Sequence, residues 1–203
     1  IPSRQAELTD KELTHPSDVL PFKVAVAWIK KIYVPKMTVL EVGCSSGYYS
    51  EIFRRAKLDV TYEGCDYSPA FIVIAKTRYP KLKFKVSNAT KLDYHDSSFN
   101  LVISGCCLLH IVDYEKAVSR AARVSKKYVL FHRTPVIHIQ KTTFLTKIGY
   151  GIKMLEIHFN ENELMDLFEK NNLTIKTAMT FSTFSYPGSK EPVFMKSYLC
   201  EKQ

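Results

Sequence analysis

The sequence predicts an α/β fold, a mainly parallel sheet with helices on both faces, and three observations carry that expectation. Short β-rich runs alternate with segments of helical spacing from Thr38 to Phe131. The stretch Phe99 to Ser104 is almost uninterrupted in apolar character, as a central parallel strand covered on both faces requires. A turn carrying Gly43 and Gly47 joins the first strand to the helix after it. With 203 residues, 46% of them hydrophobic, the chain has the length of one ordinary domain and enough apolar material for a core, so one domain spanning 1–203 is expected.

The elements follow in order. A helical segment over about 1–36 includes a helix from Pro21 to Ile32 with Val24, Ala27 and Trp28 on one face. The strand Thr38 to Gly43 leads into a helix over Tyr48 to Ala56, whose Tyr49, Ile52 and Phe53 share a face. Asp59 to Asp66 reads as the second strand; Ser68 then offers an N-cap, and Pro69 at the first helical position opens a helix ending before Pro80. Leu82 to Val86, Phe99 to Ser104 and Lys127 to Phe131 supply further strands, with a helix from Asp113 to Val124 between the last two. After Pro135 the pattern weakens. The stretch 134–159, which carries Phe144, Tyr150 and Met154, reads either as a lid or acceptor region or as a buried connecting helix. Asn160 and Glu163 form a capping pair for a helix Glu161 to Lys170. Leu173 to Thr183 and Val193 to Glu201 then read as two closing strands around the turn signal Tyr186, Pro187, Gly188.

Composition excludes several classes. No run of eighteen apolar residues exists, and no basic segment followed by an apolar stretch opens the chain, so neither a membrane span, an export signal nor a membrane partner is expected. The five cysteines are odd in number, lie mostly in apolar runs and follow no zinc spacing, which fits reduced thiols in a cytoplasmic protein without a bound metal. Adjacent Cys106 and Cys107 read as small buried residues at a strand end. The net charge of +9 is unevenly spread: Lys116 to Leu155 holds nine Lys or Arg residues and no acid.

The stretch that carries chemistry is VLEVGCSSGYYS, Val39 to Ser50. Its glycines let the backbone turn sharply and approach a ligand, and the helix that follows presents free N–H groups. The dinucleotide fingerprint G-x-G-x-x-G fails twice from Gly43, at Ser45 and at Tyr48. One repeat later, the strand ending EGCDYS places Asp66 where an acid accepts both ribose hydroxyls of a nucleoside, or else caps a helix. With Glu41 two positions before Gly43, and Gly47 four after it, the sequence resembles class I S-adenosylmethionine-dependent methyltransferases, whose first motif is E/D-x-G-x-G-x-G; Ser45 replaces the middle glycine. The likeness extends through SNATKLDYHDSSFNLVISGCCLLHI, Ser87 to Ile111, where Asn88 and Ala89 stand at the adenine-side positions and Asn100 replaces an acid common in the family. The resemblance implies a Rossmann-like three-layer sandwich whose mainly parallel seven-stranded sheet has an antiparallel closing strand. It also implies S-adenosylmethionine as cofactor, held by Glu41, Gly43, Cys44, Ser45, Gly47, Asp66, Tyr67 (packed on the adenine), Asn88, Ala89 and Ser104.

Methyl transfer from a sulfonium is an in-line displacement on an already activated electrophile, so alignment dominates and a general base is optional. His110 and His132, after the fourth and fifth strands, are the candidate bases, each equally readable as bonded to backbone or exposed. The sequence lacks the N/D-P-P-Y of the family's amino methyltransferases, having Ser104, Gly105, Cys106 and Cys107 there. The acid-free stretch points to a small or medium-sized anionic acceptor held by Arg133, Lys141 and Tyr150, or to a solvated basic surface. An RNA methyltransferase, less favoured without an RNA-binding appendage, and a non-catalytic partner subunit are the alternatives.

Overall fold

The structure is a computed structural model that describes residues 2–14, 19–149, 151–186 and 190–203. Helices α1 (Pro2–Thr14) and α2 (Leu20–Ile32) precede β1 (Met37–Val42), α3 (Tyr48–Arg55), β2 (Val60–Asp66), α4 (Pro69–Arg78), β3 (Lys83–Val86), β4 (Phe99–Gly105), α5 (Tyr114–Val124) and β5 (Ser125–Ile137). A hairpin of β6 (Thr143–Gly149) and β7 (Ile152–Asn160) follows, then α6 (Glu161–Lys170), β8 (Leu173–Phe184) and β9 (Val193–Lys202). The sheet runs β3-β2-β1-β4-β5, all parallel, and β9 and β8 close it antiparallel beyond β5. The expected α/β class and antiparallel closure are therefore observed. Among the described residues the strand count is corrected from seven to nine, because β7 pairs with the end of β5 and β6 pairs with β7.

Alternation along the strands sends successive side chains to opposite faces. Leu40, Val42, Val102, Val129 and Phe131 meet α5 and α6, with Val118, Ala122, Leu164 and Phe168 in one core. Val39, Leu101, Ile103 and Leu130 meet α2, α3 and α4, with Phe22, Ile52, Phe53 and Ile72 in the other. On α2 the buried face is Phe22, Val24, Ala25, Trp28 and Ile29, while Ala27 is exposed, contrary to the sequence reading. The cap at Ser68 needs no hydroxyl: α4 starts there with no side-chain cap bond. At α6, Asn160 Oδ1 accepts from the N–H groups of Asn162 and Glu163, but Glu163 accepts from Thr142 N–H instead of reaching back to close a capping box.

The weak pattern after Pro135 resolves into strand, not helix. Phe131 pairs with Tyr198 and Thr134 with Lys196, so His132 and Arg133 together oppose the single residue Ser197. That is a bulge, a place where a strand tolerates proline nearby and re-aims its side chains. Arg133 adopts a left-handed backbone there, with φ 58°. Pro187 and Gly188 of the predicted turn lie outside the described residues, as does Tyr150.

Candidate functional site

The chain leaves β1 for β2 and β3 on one side, then returns to place β4 on the other, which opens a crevice at the carboxyl ends of β1 and β4. Val42 pairs with Ser104, and Gly105 pairs with His132, so Glu41, Ser104, Gly105 and His132 gather there. The loop after β1 is shaped by positive φ at Gly43 (73°), Ser45 (50°) and Gly47 (79°). Its fold is tied down from β2: the N–H groups of Gly43 and Cys44 donate to the Cys65 carbonyl at 2.8 and 2.9 Å, and Ser45 N–H donates to Asp66 Oδ2 at 3.0 Å. Close packing leaves no room for side chains at the two glycines. A Cβ on Gly43 would lie 2.3 Å from Cys107 Sγ, and one on Gly47 would lie 2.8 Å from the Phe84 ring.

Asp66 is buried and uses both oxygens on backbone N–H groups, Ser45 on Oδ2 and Ser68 on Oδ1 at 2.9 Å. The carboxylate thus ties the loop to the start of α4, and each oxygen keeps a second lone pair. Tyr67, next along, is 79% exposed. Asn88 Oδ1 accepts from Thr90 N–H and hydroxyl at 2.9 Å, capping the short turn that holds Ala89.

Five buried polar atoms around this loop have no partner among the described residues: Glu41 Oε1, Ser45 Oγ, Ser46 Oγ, the Tyr49 hydroxyl and His132 Nε2. Ser45 and Ser46 are adjacent in the loop, and Glu41, Tyr49 and His132 meet around Gly105. A Cβ on Gly105 would sit 3.0 Å from the Tyr49 ring and 3.6 Å from Glu41 Oε1, and the Tyr49 and His132 rings meet edge to face at 6.0 Å. Tyr49 was read from the sequence only as a core face of α3; helical spacing shows that a side chain points inward but not that its hydroxyl arrives unpartnered. Ser46, Ser197 and Glu12 gave no signal at all.

Burial raises the Glu41 carboxyl well above its ordinary range; the Tyr62 hydroxyl, which donates to Oε2, lowers it less, and the nearby Asp66 charge raises it further. Asp66 is raised too, by burial, against its two backbone bonds. A buried acid with a raised pKa contributes stability that is present below its unfolded value of about 4.3 for Glu and lost as pH climbs through the folded one. Glu41→Gln is therefore expected to raise the melting temperature of the ligand-free protein at pH 7 by a few degrees, at about 2–4 °C per kcal/mol, and to leave it unchanged near pH 4. Equal melting curves at pH 7 would show that burial does not raise the Glu41 carboxyl.

The two histidines differ. His132 is pushed down to about 3 by burial and by the Arg133 charge, so it stays neutral at physiological pH; its Nδ1 lies 2.7 Å from Ser197 Oγ, which also accepts from Arg133 N–H. Such a ring is a weak proton acceptor, which argues against the general-base role read from the sequence. His110 is exposed, and its Nδ1 lies 2.7 Å from the Leu155 carbonyl of β7. That contact requires the proton on Nδ1 of the neutral ring and leaves Nε2 as acceptor. The thiols of Cys106 and Cys107 are both raised by burial and stay protonated.

Of the three predicted acceptor residues, Arg133 and Lys141 are described. Arg133 packs beneath the N-terminal helices, its guanidinium 4.8 Å above the Phe22 ring and 3.6 Å from Glu12, with Tyr48 and Tyr49 also within electrostatic reach. Lys141 is exposed in the β5–β6 loop, and four residues of strand, about 13 Å, separate Arg133 from the end of β5 before that loop begins. Tyr150 falls outside the described residues.

Comparison with known proteins bears on this crevice. A family model described as a methyltransferase domain matches residues 40–131, the stretch from β1 into β5 that contains the glycine loop, Asp66 and Asn88. The chain is 33% identical over 93 residues to a demethylmenaquinone methyltransferase of Renibacterium salmoninarum, covering 46% of this chain and 38% of that one. It is 26% identical over 122 residues to the ubiquinone/menaquinone biosynthesis C-methyltransferase UbiE of Campylobacter jejuni, covering 54% and 52%. The chain thus spans about half the length, or less, of these curated relatives. A solved S-adenosylmethionine-dependent methyltransferase of Methanosarcina mazei shares the fold with a TM-score of 0.66 at 19% identity, over 86% of this chain and 96% of that one. The chain therefore carries, over 40–131, a match to a methyltransferase domain, and its ordered motifs and fold are similar to those of S-adenosylmethionine-dependent methyltransferases.

Proposed function

We propose that the chain binds S-adenosylmethionine at the carboxyl ends of β1 and β4 and transfers its methyl group in line to a small or medium-sized acceptor that is anionic near the reacting atom. The observation that carries this reading is the set of five unpartnered buried polar atoms around the glycine loop. Each such atom costs about 1–3 kcal/mol if left unsatisfied, so a site complete in itself would not retain five of them on the strand ends and loop that border one crevice. A ligand bearing hydroxyl, amino and carboxylate groups supplies the missing partners. When bound, this cofactor supplies a methyl group already activated by a sulfonium.

The chain's own residues do the holding. Asp66 offers its remaining lone pairs to ribose hydroxyls, the exposed ring of Tyr67 and the amide of Asn88 face the base, and Ala89 packs beside it. Gly43, Cys44 and Gly47 shape the loop, Ser45 and Ser104 line the crevice, and Glu41 offers its free oxygen to a cation. His110 Nε2 can take a proton from the acceptor, while Arg133 offsets negative charge on it. The quinone-directed names of the curated relatives favour a small-molecule acceptor over a nucleic acid.

Calorimetry is expected to show binding of S-adenosylmethionine and S-adenosylhomocysteine and none of NAD; tight NAD binding without the other two would overturn the reading. With an acceptor in hand, Arg133→Ala is expected to raise KM roughly tenfold or more, the scale of a charge-assisted hydrogen bond, with cofactor affinity unchanged. Normal turnover by that variant at low salt, or methylation of RNA alone, would sink the anionic small-molecule acceptor.

A further inference from the structure

We propose that the tip of the β6–β7 hairpin docks this protein on anionic lipid bilayers. The inference is independent of the methyl acceptor and departs from the sequence-based expectation of no membrane partner. No helix among the described residues is long and apolar enough to cross a membrane, so the contact is peripheral.

The hairpin exposes apolar side chains where a fold normally hides them. Ile148 is 74% exposed, Phe144 51% and Ile152 44%. Phe144 and Ile148 are four residues apart on one strand and so share a face, while Ile152, paired with Gly149, faces the other way. Both faces of the tip therefore present an isoleucine, which suits insertion of the tip end-on better than the covering of one face by a flat partner. The strand ends around them are rich in lysine. Lys147 precedes Ile148, Lys153 lies across the strand pair from it, and 143–155 contains no acid. Arg4 of α1 reaches the same tip, its Nη1 4.0 Å from where a Gly151 Cβ would be. Lys147 is already paired with Glu156 at 2.8 Å, which leaves exposed Lys153 and Arg4 as the cations available to anionic headgroups. Apolar residues entering the acyl boundary, with lysine and arginine at headgroup level, is the arrangement of interfacial anchors. The same strand that carries the tip holds His110 through the Leu155 carbonyl, so docking would bring the crevice mouth close to the bilayer.

Sedimentation of the full chain with phosphatidylcholine vesicles, with and without phosphatidylglycerol, tests this. Binding is expected only to the anionic vesicles and should weaken with salt. Lys153→Gln should reduce partitioning roughly fivefold, the equivalent of about 1 kcal/mol per cation, and Ile148→Asp roughly tenfold or more. Both variants should keep wild-type melting curves and S-adenosylhomocysteine affinity, which separates failed docking from failed folding. No binding to either vesicle, equal binding to both, or undiminished binding by Ile148→Asp would each overturn the proposal. So would self-association of the wild type, seen by sedimentation equilibrium and abolished in Ile148→Asp, without vesicle binding.

Discussion

Gly43→Ala is expected to destabilise the protein by about 2–5 kcal/mol, the sum of roughly 1–2 kcal/mol for a side chain in the left-handed region and about 1–3 kcal/mol for overpacking. The first contribution comes from φ 73° at this position, and the second from a Cβ forced to within 2.3 Å of Cys107 Sγ and 2.6 Å of its Cβ. The melting temperature should fall by roughly 5–15 °C. Cofactor affinity should fall with it, because the loop that carries Ser45 cannot keep its bond to Asp66 if Gly43 shifts. Cys107→Gly removes both clashing atoms, so Gly43→Ala combined with Cys107→Gly should recover the overpacking part and keep the backbone part. If Gly43→Ala melts with the wild type, the loop does not pack on Cys107 in the left-handed form.

Asp66→Ala is expected to weaken S-adenosylmethionine binding by about 1.5–3 kcal/mol, or 10- to 150-fold, the scale of hydrogen bonds to a charged group. It should also lower stability by about 1–3 kcal/mol, because the N–H groups of Ser45 and Ser68 lose their acceptor. The second effect is visible only in the structure; position in the sequence allowed a ribose acceptor or a cap but not both at once. Asp66→Asn keeps one acceptor oxygen and should lose less stability than affinity. Isothermal titration and thermal melts of both variants separate the two roles. An unchanged dissociation constant would reduce Asp66 to a clamp on the loop.

Local signals made the central strands and the glycine loop legible, because each depends on neighbours in the chain. Short apolar, β-rich runs mark β1 to β5, Pro69 marks the start of α4, and the spacing of Glu41, Gly43 and Gly47 marks the loop. The hairpin was not legible. Its strands are half-exposed, so the period-2 apolar pattern is broken by Thr146, Lys147 and Ile148, and Pro135 hid the continuation of β5 across its bulge.

The sequence by itself determined the α/β class, the succession of strands and helices along the chain and the methyltransferase resemblance, since backbone propensity, apolar periodicity and glycine placement act over a few residues. Only the tertiary structure decided what the polar side chains do. Burial, which no window of sequence reports, makes His132 neutral and raises Glu41. A bulge opposite Ser197, 64 residues away, turns Arg133 toward Glu12 and Phe22. Tyr49, Glu41 and His132 become one unpartnered cluster because α3, β1 and β5 meet at Gly105, and only long-range packing brings those three elements to one place.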